Sequence, residues 1–342
     1  DTAREAYANL GAIYHGRGQY AEAVEYLKQA VRLDPNNDWS NYFLGEVYLK
    51  LGDRNAALEQ YEALKRLKSN RADDLHIMIY QQAVRQNSED PEAHFNLGNA
   101  YYWSQRYPDT IEPYKHAIRL RPDLELAHSR LGYAYAQLEQ YEEAIQTFEE
   151  AIRLNPQDHT DHVNAGLAYF YAGKEVQAIK HLEEAIRLKP DSADAYNSLG
   201  YVFRNIGRDR DAIGSLQQAI RLNPDYELAH YNLGIAYHNI GWYQDAVETL
   251  KQAVRLKPSD PNFHFHLGDA YLHLRRHKEA VGAFKEAISL KPNDVEARFQ
   301  LGRAYLRLGD RKAALKEYQD LKLWDQKRTM ELYPSVPMIV RH

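Results

Sequence analysis

His128-Ser129-Arg130-Leu131-Gly132-Tyr133-Ala134-Tyr135 is a run that the chain keeps rewriting. It returns as His94-Phe95-Asn96-Leu97-Gly98-Asn99-Ala100-Tyr101 and as His162-Val163-Asn164-Ala165-Gly166-Leu167-Ala168-Tyr169. It returns again at His230-Tyr231-Asn232-Leu233-Gly234 and at His264-Phe265-His266-Leu267-Gly268. Gly98, Gly132, Gly166, Gly200, Gly234, Gly268 and Gly302 are 34 residues apart at every step, and Gly11 and Gly45 are separated by the same interval. A fixed period of this size means one supersecondary unit stacked many times, not a globular catalytic domain.

Outward from the glycine, the pattern holds two helical faces. Four residues before it stands a ring in most repeats (Tyr7, His94, His128, His162, Tyr196, His230, His264), and three after it an aromatic such as Tyr101, Tyr135 or Phe203. Spacings of three, four and seven share one side of a helix. Twelve residues after the glycine comes a small residue, usually Ala (Ala23, Ala57, Ala144, Ala178, Ala212, Ala246, Ala280, Ala314). A bulky one follows (Leu27, Tyr61, Phe148, Leu182, Leu216, Leu250, Phe284, Tyr318), and this is the seam of a second helix. Pro35, Pro122, Pro156, Pro190, Pro224, Pro258 and Pro292 close seven of the repeats, because proline cannot continue a helix. A second glycine seven residues after the first (Gly18, Gly52, Gly173, Gly207, Gly241, Gly309) fits a helix end that needs a left-handed residue. Glycine here is structural, not phosphate-cradling.

These residues resemble the tetratricopeptide repeat (TPR) family, in the manner of bacterial-type TPR solenoid proteins, over residues 4–71 and 91–328. The resemblance implies an all-α fold, an α-solenoid coiled as a right-handed superhelix of about nine helix-turn-helix repeats. Some residues depart from the pattern. Thr110 replaces the small Ala, and Pro108 and Pro113 predict a late start or a kink in the second helix of that repeat. Ser69 and Gln326 replace the closing proline, so those two helices are expected to run on. Between Asn70 and Pro91 the period fails, and residues 72–87 read as one extra helix, apolar at Leu75, Ile79 and Ala83, with Asp73 and Asp74 in its first turn. The expected organisation is therefore repeats one and two in 1–71, a connector in 72–90, repeats three to nine in 91–328 and an apolar tail in 329–342. The tail is expected to be extended, either without a partner or as a strap docked on a solenoid. A chain beginning Asp1-Thr2-Ala3 without Met reads as processed or as a fragment.

The formal charge of −5 argues against a nucleic-acid partner, since phosphate contacts need clustered Lys and Arg. No apolar run is long enough for membrane insertion. Without cysteine there are no disulfides, thiolate sites or Cys-ligated zinc, and the compartment stays open between cytoplasm and a periplasmic or extracellular space.

The resemblance also implies that the first helix of each pair lines an inner groove where an extended protein segment binds. The expected lining is Phe95, Asn96, Asn99, Tyr102 and Trp103, then Arg130 and Tyr133, then Asn164 and Tyr171. It continues with Asn197, Tyr201, Arg204 and Asn205, then Tyr231, Asn232, His238 and Asn239, then Phe265, His266, Asp269 and His273. Amides offer a donor and an acceptor to a peptide backbone, and aromatics serve as rigid anchors. Asn96, Asn164 and Asn232 fall on one helix position in alternate repeats, an interrupted ladder.

Five histidines simply hold the ring position, on helix layers ~10 Å apart, too far for one ion to bridge. His266, Asp269 and His273 share one helix face and are the alternative set of metal ligands; no metal and no cofactor are otherwise expected. No nucleophile motif, HExxH or phosphate loop is present, so the chain does not read as an enzyme. The leading expectation is a scaffold for a protein or peptide partner. Self-association into a head-to-tail oligomer or filament, and a glycan-binding solenoid of a polysaccharide export system, are the alternatives.

Overall fold

The computed structural model describes residues 2–324, so the expected apolar tail at 329–342 and the substituted closing position at Gln326 lie outside the described residues. Among the described residues there are 19 helices and no strand. The chain divides into two compact units, Asp1–Ala168 and Tyr169–His342.

In the first unit, α1 (Thr2–Gly16) pairs with α2 (Tyr20–Leu33) and α3 (Asp38–Lys50) with α4 (Arg54–Arg66). After α5 (Arg71–Gln86), α6 (Pro91–Trp103) pairs with α7 (Tyr107–Leu120) and α8 (Glu125–Gln137) with α9 (Tyr141–Leu154). Next come α10 (His159–Tyr171) and, in the second unit, α11 (Glu175–Leu188). In the second unit α12 (Ala193–Asn205) pairs with α13 (Asp209–Leu222) and α14 (Glu227–Asn239) with α15 (Tyr243–Leu256). Then α16 (Pro261–His273) pairs with α17 (His277–Leu290) and α18 (Val295–Leu308) with α19 (Arg311–Trp324). All nine motif glycines lie in first helices.

The glycine is there because the second helix leaves it no room. A Cβ built on Gly98 would lie 2.5 Å from the Tyr114 ring, one on Gly132 2.9 Å from Phe148 and one on Gly234 2.5 Å from Leu250. Tyr114, Phe148 and Leu250 are wholly buried, as are the Ala residues beside them on the second helices. Gly45 is different. Tyr61 was the sequence's candidate for its neighbour, yet it is Leu75 of α5 that stands 2.5 Å from where a Cβ would be, while Tyr61 stacks on His76.

α5 matches the expected extra helix and packs on α3, α4 and α6. Leu75 and Ile79 bury one side against Leu64 and Leu49, and Ile77 buries the other against Leu97. It thus has two apolar faces where the sequence suggested one. α4 does not run on. It stops at Arg66, Lys68 takes a left-handed conformation (φ 54°), and the Ser69 hydroxyl accepts the Arg71 N–H at the start of α5. Nor does α7 start late. Pro108 sits in its first turn, where a missing N–H costs nothing, and α7 continues through Pro113 to Leu120 as one helix. Thr110, in the position usually held by Ala, is buried and donates its hydroxyl hydrogen to the Tyr107 carbonyl at 2.7 Å.

The ring-position histidines have a shared structural task. The Nε2 of His128, His230 and His264 lies 3.0, 2.9 and 2.8 Å from the carbonyl of Pro122, Pro224 and Pro258, six residues back in the preceding loop. His94 makes the same bond to Ser88, Asn41 donates to Pro35, and Arg298 donates to Pro292. A donor at this position fastens its first helix to the entry loop and satisfies a loop carbonyl that lies outside any helix.

The six second-site glycines all have φ between 73° and 82°. Where that glycine is absent, Gln105, Glu139 and Arg275 adopt φ of 56°, 58° and 58° on exposed turns. Left-handed backbone costs an L-residue roughly 1–2 kcal/mol, offset partly by glycine's entropy. Gln105→Gly, Glu139→Gly and Arg275→Gly are each expected to add about 0.5 kcal/mol, summing across the three separated turns. Denaturant midpoints of the single and triple variants check this; a triple variant no more stable than wild type would contradict it.

Candidate binding face

Successive first helices contact one another, α6 with α8 in the first unit, and α12 with α14, α14 with α16 and α16 with α18 in the second. The residues one, four and five places after each motif glycine therefore share a face.

In the first unit this face holds an arginine among rings. The Arg130 guanidinium lies 5.6 Å from the Phe95 ring centre, 5.6 Å from Tyr102 and 5.2 Å from Trp103. Its Nη1 donates to Asn99 Oδ1 at 2.6 Å, an oxygen that also accepts the Tyr114 hydroxyl at 2.9 Å. Tyr102 packs edge-on against Tyr133. Burial raises the Tyr102 and Tyr133 pKa values, so both stay neutral phenols at pH 7. Trp103 is 61% exposed. No carboxylate lies within ion-pair distance of Arg130 among the described residues. Asn96 and Asn164 are half-buried, and neither side-chain amide has a hydrogen-bond partner among the described residues.

In the second unit the expected residues separate into two kinds. Asn232 and Asn197 are buried, and Asn232 donates to Asn197 Oδ1 at 3.0 Å. Their amides tie α14 to α12, so the third rung of the asparagine ladder faces into the fold. Asn205 donates to the Tyr201 carbonyl and Asn239 to Asp209, both on the surface. Tyr171 and Tyr201 bring their hydroxyls to 3.0 Å. Tyr231 stacks on Phe263, and burial pushes its pKa up to about 12.

His266 does not join Asp269 and His273. It packs edge-on against Tyr231, and burial first, then His238 and Arg204, pulls its pKa down to about 4 despite Asp269, leaving it neutral. The residue that meets the pair is His238 of the preceding repeat. The sequence argument from layer spacing fails here because side chains lean across the gap that separates the helix axes. Burial would raise the Asp269 pKa, but the His238 hydrogen bond and the surrounding histidines prevail and lower it.

One polar cluster escaped the sequence reading. Asp161 is buried in α10 beside Glu125, and Ser129 donates to its Oδ1. Burial raises the Asp161 pKa to about 7. The signal was present: the position five before the motif glycine is Ala6, Ser40, Ala93, Ala127, Ala195, Ala229, Phe263 and Ala297 in the other repeats.

Helical hairpins seamed by glycine, with aromatic and amide side chains gathered on their first helices, define a helical-repeat solenoid. The chain belongs to the tetratricopeptide repeat family: the family model described as Cilia and flagella-associated protein 70 C-terminal domain matches residues 69–297, well over half of the chain. Models described as TPR repeat or Tetratricopeptide repeat match residues 11–52, 40–71 and 271–330. Among solved structures, the chain is similar to yeast Tom70 at 14% identity and a TM-score of 0.54, covering 99% of this chain and 88% of that one. It is similar to a chain of the APC/C hetero-tetramer Cut9-Hcn1 at 14% identity and a TM-score of 0.52, covering 98% and 95%. MamA is 28% identical over 48% of this chain and 95% of its own, with a TM-score of 0.46. The likeness to Tom70 and Cut9-Hcn1 is one of fold. A search of curated proteins finds no match. No described helix is long and apolar enough to cross a membrane.

Proposed function

We propose that this chain is a non-catalytic scaffold that binds an extended protein segment along its first-helix face. The observation that carries the reading is Arg130, held over three rings with no carboxylate partner among the described residues, beside the exposed indole of Trp103. A guanidinium placed in this way offers donors to a peptide carbonyl or carboxylate, and the indole offers a rigid anchor. The amides of Asn96 and Asn164, without a hydrogen-bond partner among the described residues, supply backbone pairing two repeats apart. The same fold occurs in an assembled complex in Cut9-Hcn1, which fits a partner-binding role.

Peptides selected from a random display library on the full chain test this. Trp103→Ala should weaken the selected peptides ~30-fold, the size of a buried aromatic anchor worth about 2 kcal/mol. Asn96→Ala with Asn164→Ala should weaken them further. Equal affinity for wild type and variants would place the partner elsewhere.

A further inference from the structure

On the second unit's first-helix face, His238 of α14 meets Asp269 and His273 of α16. His238 Nε2 is 3.0 Å from Asp269 Oδ2 and 3.3 Å from His273 Nδ1, and His273 Nδ1 is 3.9 Å from Asp269 Oδ1. We infer that these three side chains form a binding site for a divalent transition cation of the zinc class.

The geometry fits such an ion. Nitrogen and carboxylate oxygen bind Zn²⁺ at about 2.0–2.2 Å, which puts tetrahedral ligands about 3.4 Å apart. One ligand atom from each residue lies within 4.8 Å of the others, and His238 Nε2 is 3.0 and 3.3 Å from Asp269 Oδ2 and His273 Nδ1, just inside that value. Two imidazoles and one carboxylate match zinc, nickel or copper and not calcium or magnesium, which take oxygen ligands.

The protons of the metal-free trio conflict. Asp269 Oδ2 calls for a proton on His238 Nε2. The Asp269 main-chain carbonyl, 2.9 Å from His273 Nδ1, calls for one there too. Both demands together leave two N–H groups facing each other at 3.3 Å. A single cation that takes both imidazoles in their unprotonated form removes the facing N–H pair and keeps the carboxylate paired, its bond to His273 Nδ1 replacing the one to the Asp269 carbonyl.

The rings are also held in place. Tyr243, the first residue of α15, stacks on His273 at 4.6 Å and packs edge-on against His238 at 5.2 Å. Asp269 and His273 stand four apart on one helix face, and the side chains of His238 and Asp269 are only 23% and 21% exposed. A cleft of about 520 Å³ opens beside Asp269 and His273 and gives the ion a way in from solvent. Arg275, Arg303 and Arg307 line that cleft, so the fourth coordination position suits water or an anion.

The test is calorimetric titration of the tag-free full chain with Zn²⁺. One equivalent should bind more tightly than any other. His238→Gln and His273→Gln should each lower that affinity at least tenfold, and His266→Gln should leave it unchanged. Melting temperature provides a second readout, rising with Zn²⁺ for wild type and for His266→Gln but not for the two ligand variants. Absence of a distinct tight equivalent in wild type, or its survival in both ligand variants, would overturn the assignment.

Discussion

Gly98→Ala should destabilise the protein by about 1–3 kcal/mol, while Gly214→Ala and Gly282→Ala should stabilise it by about 0.5–1 kcal/mol. All three glycines lie inside helices, where alanine is intrinsically the better residue. The difference lies in what the new methyl meets. At Gly214 and Gly282 there is nothing within 4 Å. At Gly98 the Tyr114 ring is 2.5 Å away, and that ring is wholly buried with its hydroxyl bonded to Asn99. For the methyl to fit, the helix pair must separate or the buried ring must leave its rotamer. Gly98→Val should be worse still. Chemical denaturation of the three alanine variants decides it, and a Gly98→Ala variant as stable as wild type or more so would show that the glycine seam is not close-packed.

Asp161→Ala should stabilise the protein at pH 8 by on the order of 2 kcal/mol, and the gain should vanish as the pH falls toward 4. The sign follows from the shift. The Asp161 pKa is about 7 in the fold and near the ordinary aspartate value once unfolded. Its stabilising contribution is therefore present in acid and is lost as the pH rises from about 4 through 7. Above that, a carboxylate sits buried beside Glu125, whose own pKa burial also raises. Asp161 Oδ2 and Glu125 Oε1 are both buried with no donor facing them among the described residues, so a proton shared between the carboxyls is what satisfies them. Alanine removes the charge and restores the residue that most repeats carry. At pH 4 the variant should be slightly less stable than wild type, having lost the Ser129 bond. A stability difference that does not change with pH would contradict this account.

Most of the fold was legible in the sequence, because the constraint that makes the hairpin close also fixes residue size. Only glycine fits opposite Tyr114 or Leu250, and only a left-handed residue ends the first helix, so both positions recur in register. The exceptions were legible as exceptions but not in their consequences. The substituted closing proline at Ser69 suggested a longer helix, whereas Lys68 and Ser69 end α4 and start α5. Leu75 took the place expected of Tyr61 because α5 packs on α3, a contact that no local pattern encodes.

The face was less legible. Helix position identifies which residues point the same way but not whether an amide finds a partner inside the fold. Asn232 and Asn164 hold equivalent positions, and yet Asn232 donates to Asn197, three before the glycine of the preceding first helix, where the helix preceding Asn164 carries Ser129, which donates to Asp161 instead. The meeting of His238 with Asp269 and His273 depends on side chains reaching between repeats, which a periodic reading of one helix at a time does not show.

Hydrogen exchange on the full chain, with and without a selected peptide, tests the central claim that the first helices present the binding face. The account predicts new protection in α6 and α8, centred on residues near Trp103 and Arg130, with α7 and α9 unchanged. Protection confined to the second helices, or to α1 and α19, would contradict it.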